Sequence, residues 1–158
     1  MTLSPKLSVI IVSWNTAQLL RRCLASLVPA LASVPHEIIV VDNGSTDGSP
    51  EMVAERFPDS ILMRNRHNEG FARAGNRGMR AARGTYILLL NSDTEVESST
   101  VLSRWVSFMD EHPEAGASGC RLVLPDGRHQ VGDAGSRPCV QTLFNYAFFL
   151  SLLFPRRC

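Results

Sequence analysis

The chain has 158 residues, 44% of them hydrophobic, with 16 Lys and Arg against 15 Asp and Glu for a formal net charge of +1. That length suits one domain with its own core and is too short for two of ordinary size. The balanced charge contains no basic tract, so nucleic acid is not an expected partner.

Residues 7–12 form a β-branched apolar run that reads as a buried first strand, ending in the polar stretch Ser13, Trp14, Asn15, Thr16. Leu20, Cys23, Leu24, Leu27 and Leu31 then recur at helical spacing, with Arg21 and Arg22 opposite, and Pro29 is expected to end or bend that helix. Residues 37–41 repeat the design as a second apolar strand, tipped by Asp42, Asn43, Gly44 and Ser45. Ser49 as N-cap with Pro50 at the first helical position predicts a second helix that stops near Phe57 and Pro58. A short strand is expected at 61–63. The loop 68–70 leads into a helix of small residues, with Gly84 as its C-terminal cap.

Residues 86–90 are an unbroken apolar run. They are expected to form a central strand buried on both faces of a parallel sheet, with Asn91, Ser92 and Asp93 at its carboxyl end. Ser98 or Ser99 caps a further helix carrying Val101, Leu102, Trp105, Val106 and Met109 on one face. Residues 115–120 read as a small-residue strand, and 122–128 as a strand entering a turn. Four alternations of strand and helix predict a three-layer α/β domain with a mostly parallel central sheet. The pattern fades after about residue 130. The cysteines, Cys23, Cys120, Cys139 and Cys158, lack metal-ligand spacing and read as free thiols in a reducing cytoplasm.

The start of the chain shows no apolar leader, so a cytoplasmic location is expected. Residues 143–154, from Leu143 to Phe154, are apolar but shorter than the roughly 20 residues of a membrane span. They fit a helix lying at the inner face of the membrane as a peripheral contact, or a core helix whose cover lies elsewhere.

In one parallel sheet, the three polar tips face one edge. Trp14 offers a flat face for a base. Asp42 offers a charged acceptor to a donor such as the imide N–H of uracil or thymine, and Asp93 a hard oxygen ligand to Mg²⁺ or Mn²⁺ bridging a diphosphate. Each has a plainer reading, as rim packing or turn chemistry. Gly70 and Gly75 have the spacing of phosphate-loop glycines, but Asn76 and Arg77 stand where that motif needs Lys and Ser or Thr.

Four stretches in order carry a resemblance: Val-Ser-Trp-Asn at 12–15, Val-Asp-Asn-Gly-Ser-Thr-Asp-Gly-Ser at 41–49, Asn-Glu-Gly-Phe at 68–71 with Asn-Arg-Gly at 76–78, and Leu-Leu-Leu-Asn-Ser-Asp-Thr at 88–94. Together they resemble the successive motifs of family 2 glycosyltransferases, over residues 6 to about 130. The resemblance implies a Rossmann-like GT-A nucleotide-diphospho-sugar-binding domain over 1–130, with the acceptor side beginning at 131–158. It implies inverting transfer from a UDP- or dTDP-sugar to a hydroxyl of a glycan or lipid-linked acceptor, in cell-surface polysaccharide or glycan synthesis.

By resemblance, Trp14 and Asp42 hold the nucleobase, Asp93 binds the divalent cation, and Asn68, Gly70, Asn76 and Asn91 join the substrate site. Asn68, Gly70 and Asn76 are equally suited to shaping the loop. Asn91 replaces the first Asp of the family's Asp-x-Asp motif, as in the rhamnosyltransferase-like branch, which implies weaker or more selective metal binding. An inverting transfer needs a carboxylate base. Asp126 and Asp133 do not match the family's motif for it, so the base is expected beyond Cys158 and the chain reads as the donor half. The rival expectations are a non-catalytic nucleotide-sugar-binding domain and a flavodoxin-like or receiver-type signalling domain.

Overall fold

A computed structural model of the protein describes residues 4–128 and 130. The chain divides into two compact units, Met1–Pro113 and Glu114–Cys158.

The first unit runs β1 (Leu7–Ser13), α1 (Ala17–Ala30), β2 (His36–Asp42), α2 (Ser49–Arg56), β3 (Ile61–Arg64), α3 (Phe71–Ala81), β4 (Tyr86–Asn91), α4 (Val101–Glu111). The four strands form a parallel sheet in the order β3-β2-β1-β4. β1 and β2 take its middle because their Val and Ile side chains are suited to burial on both faces. On one face Leu7, Val9, Ile11 and Val40 meet Leu20, Leu24 and Leu27 of α1, Val53 of α2 and Leu102 of α4. On the other, Ile39 and Val41 meet Ala74 of α3. Helices on both faces give the expected three layers. Pro29 sits in the last turn of α1, where the helix ends anyway.

α3 approaches the sheet closely because Gly78 has no side chain: a Cβ there would lie 2.6 Å from Ile10 Cγ2 and 3.1 Å from Val41 Cγ2. At the amino edge of the sheet Glu37 is buried. Its Oε1 accepts bonds from Ser8 Oγ (2.7 Å) and Arg83 N (2.6 Å), and its Oε2 pairs with the Arg83 guanidinium at 2.9 Å. Burial works against ionisation of Glu37, but the bonds from Ser8 and Arg83 and the Arg83 charge outweigh it, holding the pKa below the ordinary glutamate value.

Several expectations are corrected. Among the described residues β4 is the last strand of the sheet, not a central one, and it is buried on one face only: Leu88 lies in the core, while Ile87 and Leu89 are 46% and 49% exposed. α3 covers β1 and β2 and leaves that side of β4 open. The N-cap of α2 is Gly48 in a left-handed conformation, because Asp47 Oδ1 takes up both the amide and the hydroxyl of Ser49. Gly84 is not the cap of α3, a place taken by Ala82; it is required instead where the chain crosses Ser8, whose N and Oγ would each lie 2.6 Å from an added Cβ. The cap of α4 is Thr100, with Ser98 Oγ accepting its amide.

In the second unit, residues 115–120 form no strand. Gly116 and Gly119 give them little to pack. Residues 122–128 make a bridge at Val123 and a tight turn closed by Leu124 N to Arg128 O at 2.8 Å. No helix among the described residues is long and apolar enough to cross a membrane. The apolar run 143–154 lies outside the described residues.

Candidate functional site

The register aligns the strand tips. Ser13 pairs with Asp42, and Val12 with Asn91, so the carboxyl ends of β2, β1 and β4 stand side by side. Strands lie about 4.8 Å apart, which puts Asp42 and Asn91 on the order of 10 Å apart along one edge.

On β1, Trp14 follows the last strand residue and is 53% exposed. Asn15 next to it has φ 53°, a left-handed conformation that asparagine tolerates better than most residues. It is fixed by reciprocal bonds to the loop after β2: Asn15 N to Ser45 Oγ (2.9 Å) and Thr46 N to Asn15 Oδ1 (2.8 Å). Asp47 reaches across the same junction, its Oδ2 accepting Ala17 N at 2.8 Å, so the first turn of α1 is capped from 30 residues away. Desolvation opposes ionisation of Asp47, but bonds from the Ser49 hydroxyl and the Ala17 and Ser49 amides prevail and lower its pKa.

Asp42 is not on the open rim. It is 2% exposed; Oδ2 accepts Ser45 N at 3.2 Å, while Oδ1 is buried and has no hydrogen-bond partner. Everything beside it is satisfied. Asn43 donates its amide to Ser13 O and its Nδ2 to Asn68 Oδ1, both at 2.8 Å, and its Oδ1 accepts Asn65 Nδ2 (2.9 Å) and Glu69 N (3.0 Å). Arg77 on α3 in turn bonds Asn65 Oδ1 and, at 3.1 Å, Arg64 O. Asn68 Oδ1 also accepts Gly70 N at 2.8 Å, so its carbonyl shapes the loop. Gly70 caps α3 at φ 83° with open space around it, and Asn76 is exposed on that helix.

At the tip of β4, Asn91 O accepts Thr94 N at 3.1 Å, closing a turn that carries Asp93 at its third position. Asn91 and Asp93 are exposed. Thr16 Oγ1 bridges to Ser92 Oγ (3.1 Å) and meets Ser13 Oγ (2.8 Å). Cys23 lies beneath the turn, with Sγ 3.7 Å from Asn91 O. Burial, with the Asp93 and Glu95 charges, pushes its thiol pKa up to about 12, so it is inert as a nucleophile.

The structure therefore brings Trp14, Asp42, Asn91 and Asp93 to one edge and ties Asn68 to it through Asn43. Gly70 begins the neighbouring helix. Asn76 makes no hydrogen bond to that edge among the described residues. The sequence reading missed Asn43, Asp47, Asn65, Arg77 and Ser92 as the residues that hold the site. Asp47 ahead of Ser49 and Pro50 carried a capping signal; the partners of Asn43, 22 and 25 residues away, left none.

The sequence profile described as "Glycosyl transferase family 2" matches residues 8–151. The chain belongs to glycosyl transferase family 2. Among curated relatives of this family 2 chain, it is 33% identical over 130 residues to the O-antigen biosynthesis protein RfbC of Myxococcus xanthus, covering 80% of this chain and 10% of that protein. It is 30% identical over 112 residues to a PGL/p-HBAD biosynthesis glycosyltransferase of Mycobacterium bovis, covering 69% of this chain and 43% of that one. The chain thus spans under half of either relative.

Among solved structures, the mannosyltransferase PcManGT from Pyrobaculum calidifontis in complex with GDP-Man and Mn²⁺ superposes with a TM-score of 0.64 at 27% identity, over 79% of this chain and 37% of that one. TarS of S. aureus in complex with UDP-GlcNAc superposes with a TM-score of 0.61 at 27% identity, over 68% and 32%. The parallel α/β unit of this family 2 chain is a partial GT-A domain.

Proposed function

We propose that this chain is the donor-binding portion of an inverting glycosyltransferase of the rhamnosyltransferase-like branch, holding a UDP- or dTDP-sugar for transfer to a hydroxyl of a glycan or lipid-linked acceptor in cell-surface glycan synthesis. The observation that carries this reading is the orphaned Asp42 Oδ1 at the tip of β2. A buried acceptor without a partner costs about 1–3 kcal/mol, and more when charged. The surrounding network is otherwise satisfied, so the cost falls on Asp42 Oδ1, which a pyrimidine imide N–H reaches once the side chains covering that atom shift. Trp14, exposed on the adjacent strand, supplies a stacking face.

The donor set at the β4 tip fits a divalent cation. Asp93 and Asn91 offer a carboxylate and an amide oxygen, both exposed, and Mg²⁺ or Mn²⁺ takes few protein oxygens when phosphates complete its shell. A cation held there would neutralise the leaving diphosphate. The chain's own residues bind the base and sugar-nucleotide and keep Asp93 placed. In the transfer the acceptor oxygen bonds to the anomeric carbon, the bond from that carbon to the diphosphate breaks, and the hydroxyl proton passes to a carboxylate base. RfbC and the mycobacterial glycosyltransferase support the cell-surface setting through their names. The location consistent with that setting is the cytoplasm at the inner face of the membrane, with 143–154 as the peripheral contact.

Isothermal titration of UDP, dTDP and GDP tests the reading, GDP being the nucleotide of the PcManGT complex. UDP or dTDP binds tighter than GDP, and Asp42→Asn loses about 10- to 100-fold of that affinity, the worth of one charged hydrogen bond. Equal affinities for all three, unchanged by Asp42→Asn, reject it.

A further inference from the structure

The turn that carries Asp93 follows β4, the last strand of the sheet among the described residues, and its side-chain anchors lie on α1 and on its N-cap, Thr16. Thr16 Oγ1 donates to Ser92 Oγ at 3.1 Å, and Val96 N donates to Ser26 Oγ at 3.0 Å. Cys23 Sγ approaches Asn91 O at 3.7 Å between them. Ser26 Oγ is itself oriented by donating to Cys23 O at 2.7 Å, which turns its lone pairs toward Val96. Thr16, Cys23 and Ser26 are seven and three residues apart, which at 3.6 residues per turn sets them on one stripe of the helix. A further contact, the Arg22–Glu95 ion pair at 3.0 Å, is more than half exposed on both sides and contributes little.

We infer that Thr16 and Ser26 are positioning residues that hold the Asp93 turn at the metal end of the donor site, Ser26 independently of the base end. The inference rests on the donor-site reading above. Only the Ser26 anchor is remote from the base end: the 43–47 loop is tied to Asn15 and Ala17 at the start of α1, beside Thr16, whereas Ser26 fastens Val96 nearly three turns further along the helix. Loosening the Ser26 anchor should leave base recognition intact and spoil only what Asp93 does. Ser26 is the sharper probe, because Thr16 also touches Ser13 at the base end.

The test uses the whole 158-residue chain, titrated with uridine, with UDP, and with UDP plus Mn²⁺. In the wild type Mn²⁺ tightens UDP binding. Ser26→Ala and Thr16→Val each lose about five-fold of that gain, the worth of one ordinary hydrogen bond, and in Ser26→Ala uridine affinity stays at the wild-type level. Ser26→Thr and Thr16→Ser, which keep the hydroxyl, retain the gain. Alanine and valine variants that keep the full Mn²⁺ response overturn the inference, as does an equal loss for uridine and UDP in Ser26→Ala, the mark of a merely structural role. A wild-type UDP affinity indifferent to Mn²⁺ overturns the metal role of Asp93 itself, and this inference with it.

Discussion

Alanine at Gly78 should leave this protein less stable than alanine at Gly75, although both sit in the middle of α3. Replacing an interior helical glycine gains about 1 kcal/mol of helix propensity at either position. At Gly75 the new methyl meets only Val12 Cγ2 at 4.0 Å, an ordinary contact, so the gain stands. At Gly78 it meets Ile10 Cγ2 at 2.6 Å and Val41 Cγ2 at 3.1 Å. Carbon pairs settle at about 3.5–4.0 Å, so the Ile10 methyl or the helix must move by roughly 1 Å. Ile10 is 1% exposed, paired on both sides within β1 and stiff at χ1, so the strain is not relieved cheaply. Overpacking of this kind costs about 1–3 kcal/mol. The propensity gain cancels between the variants, leaving Gly78→Ala about 1–3 kcal/mol less stable than Gly75→Ala. Urea unfolding followed by far-UV circular dichroism measures that difference directly. Equal midpoints, or a more stable Gly78→Ala, would show that the close approach of α3 to β1 and β2 is wrong.

Other consequences are open to measurement. Gly44→Ala should cost about 2–5 kcal/mol, because φ is 81° and the new Cβ would lie 2.7 Å from His67 Cα, so strain and a backbone clash add; a midpoint shift no larger than that of an exposed substitution would count against it. Asp47→Ala should remove the shared cap of α1 and α2 at about 1 kcal/mol, read by thermal melting, with Asp47→Asn recovering part of it. The pKa of Glu37 is lowered in the folded protein, so its contribution to stability is complete above the unfolded glutamate value and disappears as pH falls through the folded one. Between about pH 6 and about pH 3 the wild type should therefore lose more stability than Glu37→Gln, and parallel pH profiles would refute the assignment. Chelation of divalent ions should weaken UDP binding to the wild type and leave Asp93→Ala unaffected.

The middle of the sheet was legible because β1 and β2 are runs of Val and Ile that fit only a strand covered on both sides, and each ends abruptly in polar residues. That ending also marked the shared edge: polar tips on parallel strands must lie along one border of the sheet, as Trp14, Asp42 and Asn91 do. β4 misled because an apolar run reports that its residues avoid water on average, not which neighbours shield each face; Ile87 and Leu89 read the same as Leu88. Gly84 misled because a glycine after a helix suits a cap and a close crossing equally, and only Ser8 decides between them. The Asn43 network left no trace in spacing, since its partners come from other loops. Nor does sequence carry a sign that one Asp42 oxygen is bonded and the other is not.

The outer side of β4 has a practical meaning for anyone making this polypeptide. Its backbone edge has no strand beside it among the described residues, and two large aliphatic side chains face water just along it. Where such a border is left uncovered it invites strands from other molecules, and sheets that must stay dispersed commonly carry lysine there. Lysine at Leu89 would place a charge on that bare flank without entering the core, whereas the same change at Leu88, one residue earlier and facing inward, would sacrifice the fold to gain solubility.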